Sequence, residues 1–184
     1  MNRLFRLVAD ERIANRAEPN MMTPGTMRQL EDEAGVEEQP LVFPIRERNA
    51  VEYVDYMDRP MPLLSDRVKR LIELYMPELR WRPVILTDMK RERQEVYWMT
   101  SLPRLCCLSP DSEFHKDGGL KRLVLEGKRN YRPLFQVDGI RERVWIANLA
   151  LAESLLRRDV YGVHFIEIEL DQKLGHEFDA EKGE

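Results

Sequence analysis

The stretch from Pro133 to Leu170 constrains this chain more than any other. Leu134-Phe135-Gln136-Val137 and Val144-Trp145-Ile146-Ala147 are two β-prone runs. They bracket Asp138-Gly139, a pair that tolerates the positive φ of a hairpin turn. Asn148 then stands where a helix N-cap belongs. Leu149, Ala152, Leu155 and Leu156 recur at helical spacing and predict a core-facing stripe, with Glu153, Arg157 and Arg158 toward water. Gly162 offers a turn, and Val163, Phe165, Ile166 and Ile168 predict a closing strand. That order predicts a compact α+β unit with Trp145, Leu155 and Phe165 in its core. It carries no catalytic signature.

Upstream, Ser65 is placed as an N-cap, with Asp66 beside it to favour the helix dipole. Val68, Leu71, Ile72 and Tyr75 share one helical face, and Pro77 closes the helix. Trp81–Leu86 and Glu95–Leu102 predict a hairpin around a charged tip from Asp88 to Arg93. Leu105–Leu108 and Leu120–Leu125 are shorter β-prone runs flanking a polar loop that ends in Gly118-Gly119. Nearer the start, Arg3–Val8 predicts an opening strand and Thr26–Ala34 a short helix stopping at Gly35. Val51–Tyr56 predicts another short extended piece, and Leu41–Ile45 an extended run, at a sheet edge because Pro44 cannot donate to a ladder. The expected fold is α+β: a single domain, mainly antiparallel sheet, with two principal helices at about 65–76 and 148–159. Residues 1–62 form an irregular region packed on a main domain at 63–170, and 171–184 a polar tail.

A chain of 184 residues can bury one real core. Its charged fraction is high at 34 %, but the signs nearly cancel and leave a formal net charge of -4. The imbalance sits in the first 60 residues, where Glu31-Asp32-Glu33 and Glu37-Glu38 cluster. Such a balance gives no electrostatic footprint for nucleic acid and no polybasic membrane patch. The opening Met1-Asn2-Arg3-Leu4-Phe5-Arg6 is too charged for a signal peptide, and no apolar run is long enough to span a bilayer. The two cysteines, Cys106 and Cys107, are adjacent; a disulfide between neighbours is strained, so reduced thiols and a cytoplasmic location are expected.

Motifs for chemistry are sparse. His115, His164 and His176 show no metal-ligand spacing, and no GxGxxG or GxxxxGK[ST] phosphate loop occurs. His164 is expected to be a half-exposed strand histidine. Cofactors and metals are therefore not expected. Ser109-Pro110-Asp111-Ser112 lacks the nucleophile elbow and predicts a turn. Two rival functions keep a residue basis. One is a small thiol enzyme using Cys106 or Cys107 with His115 or His164. The other is an RNA-binding or regulatory module built on Lys121-Arg122 and Lys128–Arg132, segments that a solvated strand edge explains more simply. Trp81, Trp98 and Trp145 fall in predicted strands, where core packing is the plain expectation.

A resemblance supplies a third function. Leu64–Lys69, Trp81-Arg82-Pro83-Val84, Val96-Tyr97-Trp98-Met99, Leu105–Ser109, Ser112-Glu113-Phe114, Pro133-Leu134-Phe135, Val144–Ala147 and Tyr161–Phe165 follow one another in an order that carries the likeness. Residues 65–170 thereby resemble a bacterial immunity-protein family of polymorphic toxin systems, long catalogued as a domain of unknown function. The resemblance implies a non-enzymatic protein that binds and neutralises a cognate toxin domain, and it carries over no catalytic residue. A mildly acidic surface suits a basic toxin such as a nuclease. The expected contacts are Asp88, Arg91 and Glu92 on one charged connection and Asp111, Glu113 and Asp117 on another.

Overall fold

The computed structural model describes residues 3–20, 39–127 and 129–171. In chain order these form β1 (Leu4–Ala9), β2 (Leu41–Pro44), β3 (Tyr56–Met57), β4 (Leu63–Ser65), α1 (Asp66–Glu73), β5 (Arg82–Asp88), β6 (Arg93–Met99) and β7 (Arg104–Leu105). There follow β8 (Glu113–Phe114), β9 (Leu120–Arg122), β10 (Val124–Glu126), β11 (Leu134–Val137), β12 (Trp145–Asn148), α2 (Leu149–Leu156), β13 (Val163–Glu167) and β14 (Glu169–Asp171). The fold is α+β and mainly sheet, as predicted. The predicted helix at Thr26–Ala34 and the tail after Asp171 lie outside the described residues.

The chain gathers into two compact units. One draws on Met1–Leu7, Pro103–Ala152 and Phe165–Glu184, the other on Val8–Leu102 and Glu153–His164. In the first unit β1 runs antiparallel to β12, and β12 to β11, within a sheet ordered β13-β1-β12-β11-β7. The hairpin predicted around Asp138-Gly139 joins β11 to β12, with Gly139 at φ 81°. Cys107, Leu125, Phe135, Val137 and Ile146 pack together there, and burying each large side chain contributes about 2–3 kcal/mol. β10 and β14 add a short parallel pair. Gly127 follows it, and a Cβ there would meet the Asp171 carbonyl oxygen at 2.1 Å, so the site admits only glycine without a backbone shift.

The second unit holds a sheet ordered β2-β5-β6-β4-β3. The predicted hairpin is present as β5 and β6, seven residues each in register from Arg82↔Met99 to Asp88↔Arg93. Pro44 sits on edge strand β2, as its missing N–H requires, and β2 joins β5 in parallel. Val84, Leu86, Tyr97 and Met99 point to one face and bury against Met57, Met61 and Leu63. Helix α1 buries Val68, Leu71 and Ile72.

Local details depart from expectation. α1 and α2 are each shorter than predicted, because both end in tight turns: Leu74 N–H reaches Leu71 O, and Arg158 N–H reaches Leu155 O. Asn148 caps α2 as predicted, its Oδ1 accepting the Leu151 N–H at 3.0 Å. Ser65 precedes α1 but does not cap it with its side chain, since its hydroxyl donates instead to Asp55 at 2.6 Å. Leu156, predicted to face the core, is 57 % exposed, because the helix ends on its outer side. Trp81 precedes β5 rather than lying in it. The predicted run Leu120–Leu125 breaks at Leu123 into β9 and β10, and the closing strand breaks at Ile168 into β13 and β14.

Candidate interaction surface

The charged connections named from sequence divide between the two units. Asp88 closes β5 and is 3 % exposed. Its carboxylate accepts Arg91 Nη1 at 2.9 Å, the Arg91 N–H at 3.2 Å and the Tyr53 hydroxyl at 3.2 Å. Burial raises its pKa, but these donors, Arg91 foremost, hold it below the ordinary carboxylate value. Arg91 also spans to the carbonyls of Arg48 and Asn49. Asp88 and Arg91 thus brace the hairpin tip internally, while Glu92 is exposed, at φ 50°.

In the first unit Asp111, Glu113 and Asp117 are all exposed. Ser109-Pro110-Asp111-Ser112 forms the predicted turn, closed by Ser112 N–H to Ser109 O at 3.0 Å. Glu113 pairs with Lys121 at 2.6 Å and lies 3.7 Å from Arg122, contacts that lower its pKa, Lys121 foremost. Asp117 Oδ1 accepts the Gly119 N–H at 3.0 Å and shapes its own loop. The basic residues of the same region are also engaged. Arg122 reaches Glu169, and Arg129 donates to the Cys106 carbonyl at 2.7 Å.

Neither cysteine has the surroundings of a nucleophile. The exposed Cys106 thiol donates to Asp138 Oδ2 at 3.3 Å, and that hydrogen bond raises its pKa. Cys107 is buried, and burial pushes its thiol up to about 11. Both shifts reduce the thiolate fraction at neutral pH, the reverse of what nucleophilic catalysis requires. Among the described residues neither thiol is hydrogen-bonded to an imidazole. His164 is half-exposed and stands 3.1 Å from Asp10 Oδ1 and 3.2 Å from Arg12 Nη2.

The feature that sequence reasoning missed is the outer face of the β2-β5-β6 sheet. Side chains alternate across a strand, so the residues between the buried ones share the opposite face. There Val42, Ile85 and Val96 stand in register across three strands. Pro44, Thr87 and Gln94 form the next row toward the hairpin tip, and Pro83 faces Trp98 in the row behind. None of these three rows contains a charged side chain, although a third of the chain is charged. The charges of β5 and β6, namely Arg82, Asp88, Arg93 and Glu95, all lie on the other parity. Arg93, itself exposed, is held on that side by Glu95 at 2.7 Å and by the Tyr53 ring, 4.0 Å from its guanidinium. Val42 is 58 % exposed and Val96 46 %.

The surface has one finished side. Leu64 pairs with Trp98 across β4 and β6, and it is fully buried. Lys69 of α1 sets its ammonium 4.5 Å from the Trp98 ring centroid and 5.9 Å from that of Trp81, and it pairs with Glu73 at 2.7 Å. Helix α1 therefore covers the β4 side of this face. The indole N–H groups of Trp81 and Trp98 are enclosed without an acceptor. The sequence hint was available in the alternation of Gln94, Val96 and Trp98 with Arg93 and Glu95. Both sets contain apolar or aromatic neighbours, so periodicity alone does not say which faces the core.

No protein-family model matches the chain, and no curated protein matches it. Among the described residues no helix is long and apolar enough to cross a membrane.

Proposed function

We propose that the protein is a non-enzymatic immunity protein that binds and neutralises a cognate bacterial toxin domain in the cytoplasm. The observation that carries this reading is the uncharged outer face of β2, β5 and β6. Charge depletion with enrichment in aliphatic and aromatic groups is the composition of an interface centre rather than of ordinary solvated surface. The resemblance of residues 65–170 to immunity proteins of polymorphic toxin systems points the same way. Glu92, Asp111, Glu113 and Asp117 are exposed, and their charge can steer a basic toxin, with Glu113 muted by its own cations.

Co-expression with the toxin domain encoded by the neighbouring gene tests the reading. Rescue of growth and a complex that survives size-exclusion chromatography are expected. Failure of both rescue and complex formation removes the toxin reading.

A further inference from the structure

We propose that Arg16 and Arg46, in the second unit, form a binding site for a phosphate group seated beside Glu18. The site is independent of the toxin reading, and its test uses the protein alone.

The backbone under the site is held from both sides. On one side the Glu52 N–H donates to Asn15 O and the Ala17 N–H to Glu52 O, each at 2.8 Å. On the other, the Arg46 N–H donates to Glu18 O and the Asn20 N–H to Pro44 O, again at 2.8 Å. Ala17 and Ile45 are buried. Side chains alternate along an extended segment, so Arg16 and Glu18 leave together on the side away from Ala17. There Arg16, Arg46 and Arg48 converge on the one Glu18 carboxylate. Three cations against one anion leave a local excess of two positive charges, in a chain whose formal net charge is -4. Of the neighbouring acids, Glu52 is engaged by the Tyr161 hydroxyl, and Glu47 pairs with none of the three arginines.

The three guanidinium groups are not used alike. Arg48 donates Nη2 to Glu18 Oε2 at 2.9 Å and Nη1 to the Ala14 carbonyl, which fixes the carboxylate in place. Arg16 Nε stands 3.5 Å from Glu18 Oε1, and Arg46 Nη1 stands 3.7 Å from Oε2. Both separations exceed the roughly 3.2 Å of a good N–H···O hydrogen bond. The Arg16 side chain is only 13 % exposed, and its Nη1 is enclosed without an acceptor among the described residues. A buried guanidinium with unmet donors is costly, and an anion that accepts from it removes the cost. Arg46 is 62 % exposed, so an anion gains entry when that one side chain turns.

The donors select the ligand. Guanidinium forks match the oxygens of carboxylate and phosphate groups. A phosphate group carries a charge of about −1.5 to −2 at neutral pH, which balances the local excess, and a single carboxylate balances only half of it.

The test titrates inorganic phosphate into the full chain at pH 7 and constant ionic strength, read by calorimetry and by the arginine Nε–H NMR signals. Saturable binding that shifts the Arg16 and Arg46 signals together is expected. Arg46→Gln, a change at the surface, should weaken binding by about tenfold and leave the unfolding midpoint unchanged. Glu18→Gln removes the competing carboxylate and should tighten binding, an effect that a purely structural ion-pair cluster does not produce. Phenyl phosphate bound as well as inorganic phosphate assigns the site to phosphate monoesters, and its exclusion assigns the site to the free ion. A response that does not saturate, that chloride reproduces, or that survives Arg46→Gln overturns the site, as does weaker binding in Glu18→Gln. Acetate bound as tightly as phosphate overturns the choice of phosphate.

Discussion

Arg67 grips Asp55 from two sides: Nε donates to Oδ1 at 2.9 Å, and Nη2 closes on Oδ2. The same carboxylate accepts the Ser65 hydroxyl at 2.6 Å and the Tyr161 N–H at 2.8 Å. Arg67 continues to the Asp159 carbonyl at 2.8 Å. One acidic side chain thus ties the start of α1 to the turn that follows α2, entirely within the second unit.

Removing that acceptor should be costly. Asp55→Ala strands the Tyr161 N–H and the Ser65 hydroxyl and is expected to cost about 2–4 kcal/mol in urea unfolding. Arg67→Ala should cost only about 1 kcal/mol, because half of its side chain is already in water. Equal losses for the two variants would refute the asymmetry.

Acid should weaken the same tie. Burial raises the Asp55 pKa, but the hydrogen bonds from Arg67, Ser65 and Tyr161 outweigh it and leave the carboxyl below its ordinary value. Asp10 is lowered in the same direction, chiefly by its hydrogen bond from Arg12. A carboxylate with a depressed folded pKa contributes stability that is complete above its unfolded value of about 3.9. That contribution is lost as pH falls through the folded value. Stability of the native chain should therefore fall below about pH 4, and more steeply than that of Asp55→Asn. Parallel pH profiles for the two would contradict the assignment.

Gly162 has a steric and a conformational reason to be glycine. Its φ is 85°, and an added Cβ would lie 2.6 Å from Val54 Cβ. Gly162→Ala is expected to cost about 2–3 kcal/mol. Pairing it with Val54→Gly, which removes the Cβ and both Cγ atoms in the way, should recover about 1 kcal/mol of the Gly162→Ala cost in a double-mutant cycle, since the backbone strain remains. Strict additivity in a double-mutant cycle would show that the contact does not matter.

Thiol labelling should distinguish the two cysteines. Cys106 is expected to react at pH 7 more slowly than a free thiol, and Cys107 only after unfolding. Asp138→Asn removes the anion that accepts the Cys106 proton, so it should lower that pKa and speed labelling. Rapid labelling of the native chain at pH 6 would overturn this picture and revive a thiol enzyme.

Local rules account for the parts of the fold that were legible. Asn148 caps α2 because a short side-chain oxygen suits an N-cap wherever the helix lies. Asp138-Gly139 turns the chain because glycine accepts a positive φ at little cost. The pairing of β5 with β6 follows from two β-prone runs around a charged tip. Pro44 announces a strand edge because it lacks the N–H that a central strand would need. Each depends on chemistry within a few residues of the chain.

What tertiary structure alone decided depends on partners far away in sequence. Ser65 looks like a helix cap, yet Asp55 takes its hydroxyl. Asp88 looks like solvated tip charge, yet Tyr53 and Arg91 enclose it. The parallel entry of β2 beside β5 joins residues some 40 positions apart, and no local pattern specifies it. The candidate surface belongs to this second group. The sequence determined which residues alternate along β2, β5 and β6. Which parity met the core was settled by Met57, Met61 and Leu63 burying Val84, Leu86, Tyr97 and Met99. That choice turned Val42, Ile85 and Val96 outward, because a strand that commits one face to the core must present the other.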